Sequence, residues 1–244
     1  MRNRLLCLLL CCCLLLLCGC GKKTPQQIFT EAVKETLAQS AIQAHTQLYL
    51  QLSAQGVTMP VSVTLESTVQ PSEAPTSATD ITVSMLGMEL SGNIYTVGDK
   101  RYVNQLGAKT VQESQTPSPS FYALLSTWET LSEEALSSLT AESGSGGRTI
   151  LTGTFDGDQL AQTVSDSLQQ FTGSAPFMLQ SVDFTATVSR TGLFESITLQ
   201  APLVLDQSSE STDSVFSMQI DILKTGDEVS VQLPDDLDSY LALP

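Results

Sequence analysis

From Val57 to Leu65 the chain alternates: Val57, Met59, Val61, Val63 and Leu65 are apolar, while Thr58, Ser62 and Thr64 between them are polar. A period of two puts every second side chain on the same face of a strand and cannot make a helical stripe. The pattern recurs at Leu48, Leu50 and Leu52, and again at Ile81, Val83 and Met85. It returns at Val182 to Val188, Ile197 to Leu203 and Phe216 to Ile222. Each such segment has one dry face and one wet face, as strands of an antiparallel sheet do. Further strands are expected over Met88–Val97, Arg101–Glu113 and Arg148–Phe155, with Val229 and Val231 closing the set. Gly98-Asp99 forms a hairpin turn within "TVGDKRYV". The total is about 9–11 strands.

Helical signals are fewer. Thr24-Pro25-Gln26-Gln27 reads as a capping box, with Thr24 as N-cap and Pro25 at the first helical position. A helix then runs to about Ile42, with Ile28, Phe29, Ala32, Val33, Leu37 and Ala41 as its stripe. Phe121, Leu124, Leu125 and Trp128 space as a second helix, and Ser132 with Glu133 and Glu134 starts a short third. Asp156-Gly157-Asp158-Gln159 caps a fourth, with Leu160, Val164, Leu168 and Phe171 on its dry face. The fold class is therefore α+β: a curled antiparallel sheet in a single domain, residues 25–244, with helices packed on its concave face.

The first twenty residues obey different physics. Arg2 and Arg4 precede Leu5–Cys18, fourteen residues made only of Leu and Cys. A membrane-spanning helix needs roughly 20 apolar residues. The short run, its charged start and its small-residue end fit a secretory signal, residues 1–19. Leu17-Cys18-Gly19-Cys20 resembles the bacterial lipobox, which implies cleavage before Cys20 and diacylglycerol on its sulfur. Cys18 departs from the usual Ala or Ser but is small. Residues 20–24 are then the lipidated cysteine and a short tether. Three residues separate Cys20 from Thr24, so at ~3.5 Å each the domain stays close to the bilayer.

No cysteine follows Cys20, so the mature domain has no disulfide framework and no thiol nucleophile. Without Arg2 and Arg4, 9 basic residues face 26 acidic ones, a net charge of −17. That balance excludes nucleic acid as a partner and excludes adhesion to an anionic membrane by charge. The anchor, through diacylglyceryl-Cys20, is the expected membrane contact. Localisation is expected on the outer face of a cell membrane, as a monomer.

The order of lipidated Cys20, helix, meandering strands, helical insertion and further strands resembles the LolA-like half-barrel. That fold is shared by the lipoprotein carrier LolA, the mycobacterial LppX and LprG lipoproteins and RseB-type regulators. "GNIYTVGDKRYVNQLGAKTVQES" (Gly92 to Ser114) and "GDEVSVQLPDDLDSY" (Gly226 to Tyr240) resemble stretches of LolA-like lipoproteins from Firmicutes. The resemblance implies a lipid or acyl ligand held between sheet and helices, and a Gram-positive host. It transfers no ligand-contacting residue.

Chemistry-bearing residues are sparse. His45 is the only histidine, and no Gly-x-Ser-x-Gly elbow accompanies it. It is expected at the surface or as a cap. Asp156 with Asp158, and Asp235, Asp236 and Asp238, lack the set of oxygen ligands a calcium loop needs and read as a helix cap and a solvated turn. No catalytic constellation, cofactor or metal site is expected. Met59, Met85, Met88 and Met218 fall on or beside inward faces, and methionine adapts to irregular ligands. The candidate wall of an apolar pocket is Met59, Val61, Val83, Met85, Leu124, Trp128, Phe184, Met218 and Ile220. Ordinary core packing accounts for the same residues. Two functions follow: a non-catalytic binding module for a lipid or other hydrophobic ligand, or a cell-envelope interaction or sensor module with a filled core.

Overall fold

The structure, a computed structural model, describes residues 23–54, 57–113, 121–157, 178–179, 181–204 and 214–242. Helix α1 (Pro25–Leu37) begins as its sequence demands. The Gln27 amide donates to Thr24 Oγ1 at 3.2 Å, and the Thr24 amide donates to Gln27 Oε1 at 3.0 Å. Two otherwise unpartnered amides are thereby satisfied. The helix stops at Leu37 rather than near Ile42, because Ile42 opens strand β1 (Ile42–Ala54).

A meander follows: β2 (Val57–Gln70), β3 (Thr76–Met85), β4 (Met88–Val97), β5 (Lys100–Gln105) and β6 (Ala108–Glu113). The segment expected as one strand over Arg101–Glu113 is two, split by a turn at Leu106-Gly107. Helix α2 (Phe121–Trp128) comes next. Ser132 caps as anticipated, its Oγ accepting the Ala135 amide, but successive turns rather than a regular helix follow. The chain continues through β7 (Thr140–Ser143), β8 (Thr149–Asp156), β9 (Met178–Leu179), β10 (Ser181–Val188), β11 (Phe194–Val204), β12 (Val215–Thr225) and β13 (Leu241–Ala242). The helix expected over Leu160 to Phe171 lies outside the described residues, as does Cys20.

Among the described residues the strand order is β13-β6-β5-β4-β3-β2-β1-β12-β11-β10-β8-β7, with β9 paired to β11. Every pairing is antiparallel except β13 with β6. The thirteen strands exceed the expected number because β7, β9 and β13 are too short to show a period.

The registers show why alternation mattered. Partnered residues share a face, so apolar side chains line up in rows across the sheet. One row runs Leu90, Val83, Val63, Leu48, Met218, Leu199, Phe184. The next runs Gln105, Gly92, Ile81, Leu65, Thr46, Ile220, Ile197, Ala186, Leu151. This is the inner face. The outer face carries residues such as Gln47, Thr64, Asp80 and Thr185.

Over β8–β11 the inner face is filled. Phe29 of α1 is fully buried, with ring centroids 5.7 Å from Trp128, 5.6 Å from Phe184, 5.9 Å from Phe194 and 6.0 Å from Phe155. Phe155 and Phe184 approach to 4.9 Å. Thr36, on the same stripe of α1, accepts the Phe194 amide at 3.1 Å and locks the helix to β11.

After β12 the chain does not form the expected strand at Val229 and Val231. Residues 226–240 run as an irregular strap over the outer face. Val229 is buried, and residues 228–232 face Gln43, Glu66, Thr68 and Tyr95. With no neighbouring strand edge available in the middle of a sheet, the segment packs by side chains instead. It ends with Tyr240 edge-on to Tyr102 at 5.4 Å and with Asp236 ion-paired to Lys109. The hydrogen bond from Lys109 holds the Asp236 carboxyl below its ordinary range.

Candidate functional site

Over β3–β6 the inner face leaves a hollow of about 340 Å³, within the range of small-molecule sites. Its walls are Ile81 and Val83 from β3, Leu90 and Ile94 from β4 and Val103 from β5. Gly92 lies in the middle of this wall, between Ile81 and Gln105. A Cβ at Gly92 would stand 2.9 Å from the Asn104 carbonyl oxygen on β5, so a side chain is excluded and the space stays open.

The hollow's polar lining includes Arg101, Asn104, Gln105 and Gln112. Behind Arg101 in register on the inner face stand Thr96 and Ser77, outside that lining, and all three are more than nine-tenths buried. Burial pulls the Arg101 guanidinium below its ordinary value. The Ser77 and Thr96 hydroxyls have no hydrogen-bond partner among the described residues. Gln112, opposite Arg101 on β6, also lines the hollow. Ser67 and Thr79, one row on, bond to each other at 3.2 Å. An apolar trough with a buried arginine and Gln112 at one end suits an amphiphile.

A larger void of about 510 Å³ lies under the strap on the outer face. Its lining is Gln43, Glu66, Thr68, Asp80, Lys224 and other mostly polar residues, so it is a hydrated groove rather than an apolar site.

The residues singled out from sequence are placed as follows. Met59, Val61, Val83, Met85, Phe184, Met218 and Ile220 all project from the inner face. Val83 stands on the wall of the hollow. Trp128 and Phe184 are in the aromatic cluster, and Leu124 and Ile220 are buried in the same core. Met59, Met85 and Met218 are half-buried. The hollow's own residues, Ile81, Leu90, Ile94, Arg101 and Val103, were not singled out. A glycine inside a strand and an arginine in phase with Val103 were the available signals.

His45 pairs with Glu66 on the outer face. The bond joins adjacent strands where the registers also bring Asp221 and Asp80 close. No group of metal-ligating side chains occurs among the described residues. No helix among them is long and apolar enough to cross a membrane.

Solved structures give the architecture a counterpart. LprF from Mycobacterium bovis superposes with a TM-score of 0.50 over 86% of this chain and 96% of its own, at 11% identity. The fold is a LolA-like half-barrel. A LolA superfamily protein from Nitrosomonas europaea aligns over 88% of this chain and 97% of its own, with a TM-score of 0.30 and 10% identity. A putative outer membrane lipoprotein-sorting protein domain from Vibrio parahaemolyticus aligns over 89% and 97%, with a TM-score of 0.30 and 8% identity. No family model matches the sequence. No curated protein matches it either. In this half-barrel, then, the core runs across the inner face and a hollow of about 340 Å³ interrupts it over β3–β6.

Proposed function

We propose that this half-barrel is a lipid-anchored, extracytoplasmic binding module that holds a lipid or other hydrophobic ligand and catalyses no reaction. One observation carries the reading: a hollow of about 340 Å³ over β3–β6 is walled by Ile81, Val83, Ile94 and Val103, while over β8–β11 the same face is filled by the Phe29 aromatic cluster. Apolar walls supply affinity, and the polar end at Arg101 and Gln112 takes the ligand's polar group. The ligand is therefore an amphiphile with a chain along β3–β5. Diacylglyceryl-Cys20 holds the monomer on the outer face of the cell membrane, in the Gram-positive arrangement.

Two measurements test this. Residues 21–244, which retain every described contact, are purified and extracted for mass spectrometry. About one amphiphile per chain is expected, and stable protein with no extractable lipid overturns the reading. In the full chain, Cys20→Ser is expected to abolish incorporation of labelled fatty acid, and unchanged labelling overturns the anchor. The aromatic filling over β8–β11 favours one alternative, an envelope interaction or sensor module. An empty trough in the extracted protein would select it.

A further inference from the structure

Two leucines sit where leucine does not belong. Among the described residues Leu86 and Leu106 alone, glycines aside, have positive φ, at 53° and 52°. Each is the first central residue of a two-residue hairpin turn and is followed by a glycine, Gly87 or Gly107, also at positive φ. Such turns favour Asn, Asp or Gly there, because a bulky side chain at positive φ is strained. Packing does not offset the strain, since Leu86 is 65% and Leu106 72% exposed.

The topology gathers these tips. In an antiparallel meander alternate turns share an end, so the β1–β2, β3–β4 and β5–β6 turns all point the same way. That end also carries Val57 and Met88, both exposed. Leu90, 45% exposed, continues this apolar rim onto the wall of the trough. The start of the described chain lies toward the same end. Helix α1 finishes at Leu37, shortly before Ile42 opens β1 at the end away from the tips, and Thr36 binds the first residue of β11 there, while Phe29, seven residues earlier, reaches Phe155 and Phe184 as well as Phe194. The last residue of β8, Asp156, and the first of β12, Val215, mark the tip end on that side of the sheet. Lys23 therefore emerges toward the tips, with Cys20 three residues before it.

We infer that the Leu86 and Leu106 hairpin tips, with Val57 and Met88, insert into the apolar surface of a lipid bilayer and set the trough's mouth against it. The choice of a bilayer as occupant rests on the anchor in the proposed function, because Lys23, where the described chain begins, lies toward the tips and only three residues after Cys20. The contact itself is independent of the anchor. It is apolar, since a chain with a net charge of −17 gains nothing from anionic headgroups.

The test uses residues 21–244, which lack Cys20 and hence its lipid, in flotation with phosphatidylcholine vesicles and with vesicles containing anionic phosphatidylglycerol. The wild-type chain is expected to float, at least as well on the zwitterionic vesicles as on the anionic ones. L86N/L106N is expected to lower partitioning at least ten-fold while its thermal midpoint stays level or rises, because Asn tolerates positive φ. Equal partitioning of both chains overturns the inference, as does failure of the wild type to float. Concentration-dependent self-association that the double substitution abolishes, without flotation, would assign the tips to a second copy and also overturn it. Failure of the carrier reading shows separately, as absence of extracted amphiphile from a chain that still floats.

Discussion

Phe29→Ala is expected to lower the unfolding free energy by about 3–5 kcal/mol, the range for removing a large aromatic side chain from a closed core. The size follows from position. Phe29 is fully buried and touches four aromatic rings drawn from α2, β8, β10 and β11. Removing it leaves a void bounded by three strands whose backbones are fixed by their registers, so the site cannot collapse. The measurement is urea unfolding followed by Trp128 emission. Trp128 is the only tryptophan and lies 5.7 Å from Phe29, so the probe sits at the lesion. A loss below about 1 kcal/mol, the centre of ordinary substitutions, would mean that α1 does not pack on this face.

The second large effect is expected at Gly92. Gly92→Ala should lower stability by about 1–3 kcal/mol, as overpacking does. It should also reduce the amphiphile recovered with the purified chain. The added methyl meets the Asn104 carbonyl oxygen at 2.9 Å, and a backbone atom cannot swing aside as a side chain can. Strands β4 and β5 would have to part where Gly92 opposes Gln105, and the trough wall runs through that pair. Chemical unfolding and lipid extraction of the same preparation read both effects. Stability within about 0.5 kcal/mol of wild type would sink the argument that close strand approach keeps the trough open.

Much of this architecture was legible because half-buried antiparallel strands write their period into the chain. Leu48, Val63, Val83, Phe184 and Met218 were all assigned to one face by alternation alone, and the registers place them in a single row. The capping box at Thr24 was equally plain, since its hydrogen bonds are local. The failures have separate causes. Gly107 signals the turn that breaks a strand in two, but Leu106 stands where such a turn favours Asn or Asp, and Val229 is buried by strands far away in the chain. Of the pocket wall expected from sequence, Val83 lines the hollow, whereas Phe184 packs against Phe29. Alternation says which side chains point inward but not which of them meet an aromatic ring there.

The pairing of β13 with β6 bears on the order of assembly. Leu241 lies opposite Thr110, which leaves the ribosome about 130 residues sooner. Until then β6 presents a bare row of amides and carbonyls, the kind of edge that recruits foreign strands. The half-barrel therefore completes only after nearly the whole polypeptide has been delivered. That order is compatible with the export proposed above, in which the chain crosses the membrane unfolded and the edge at Thr110 and Val111 is covered by Leu241 and Ala242 on the far side.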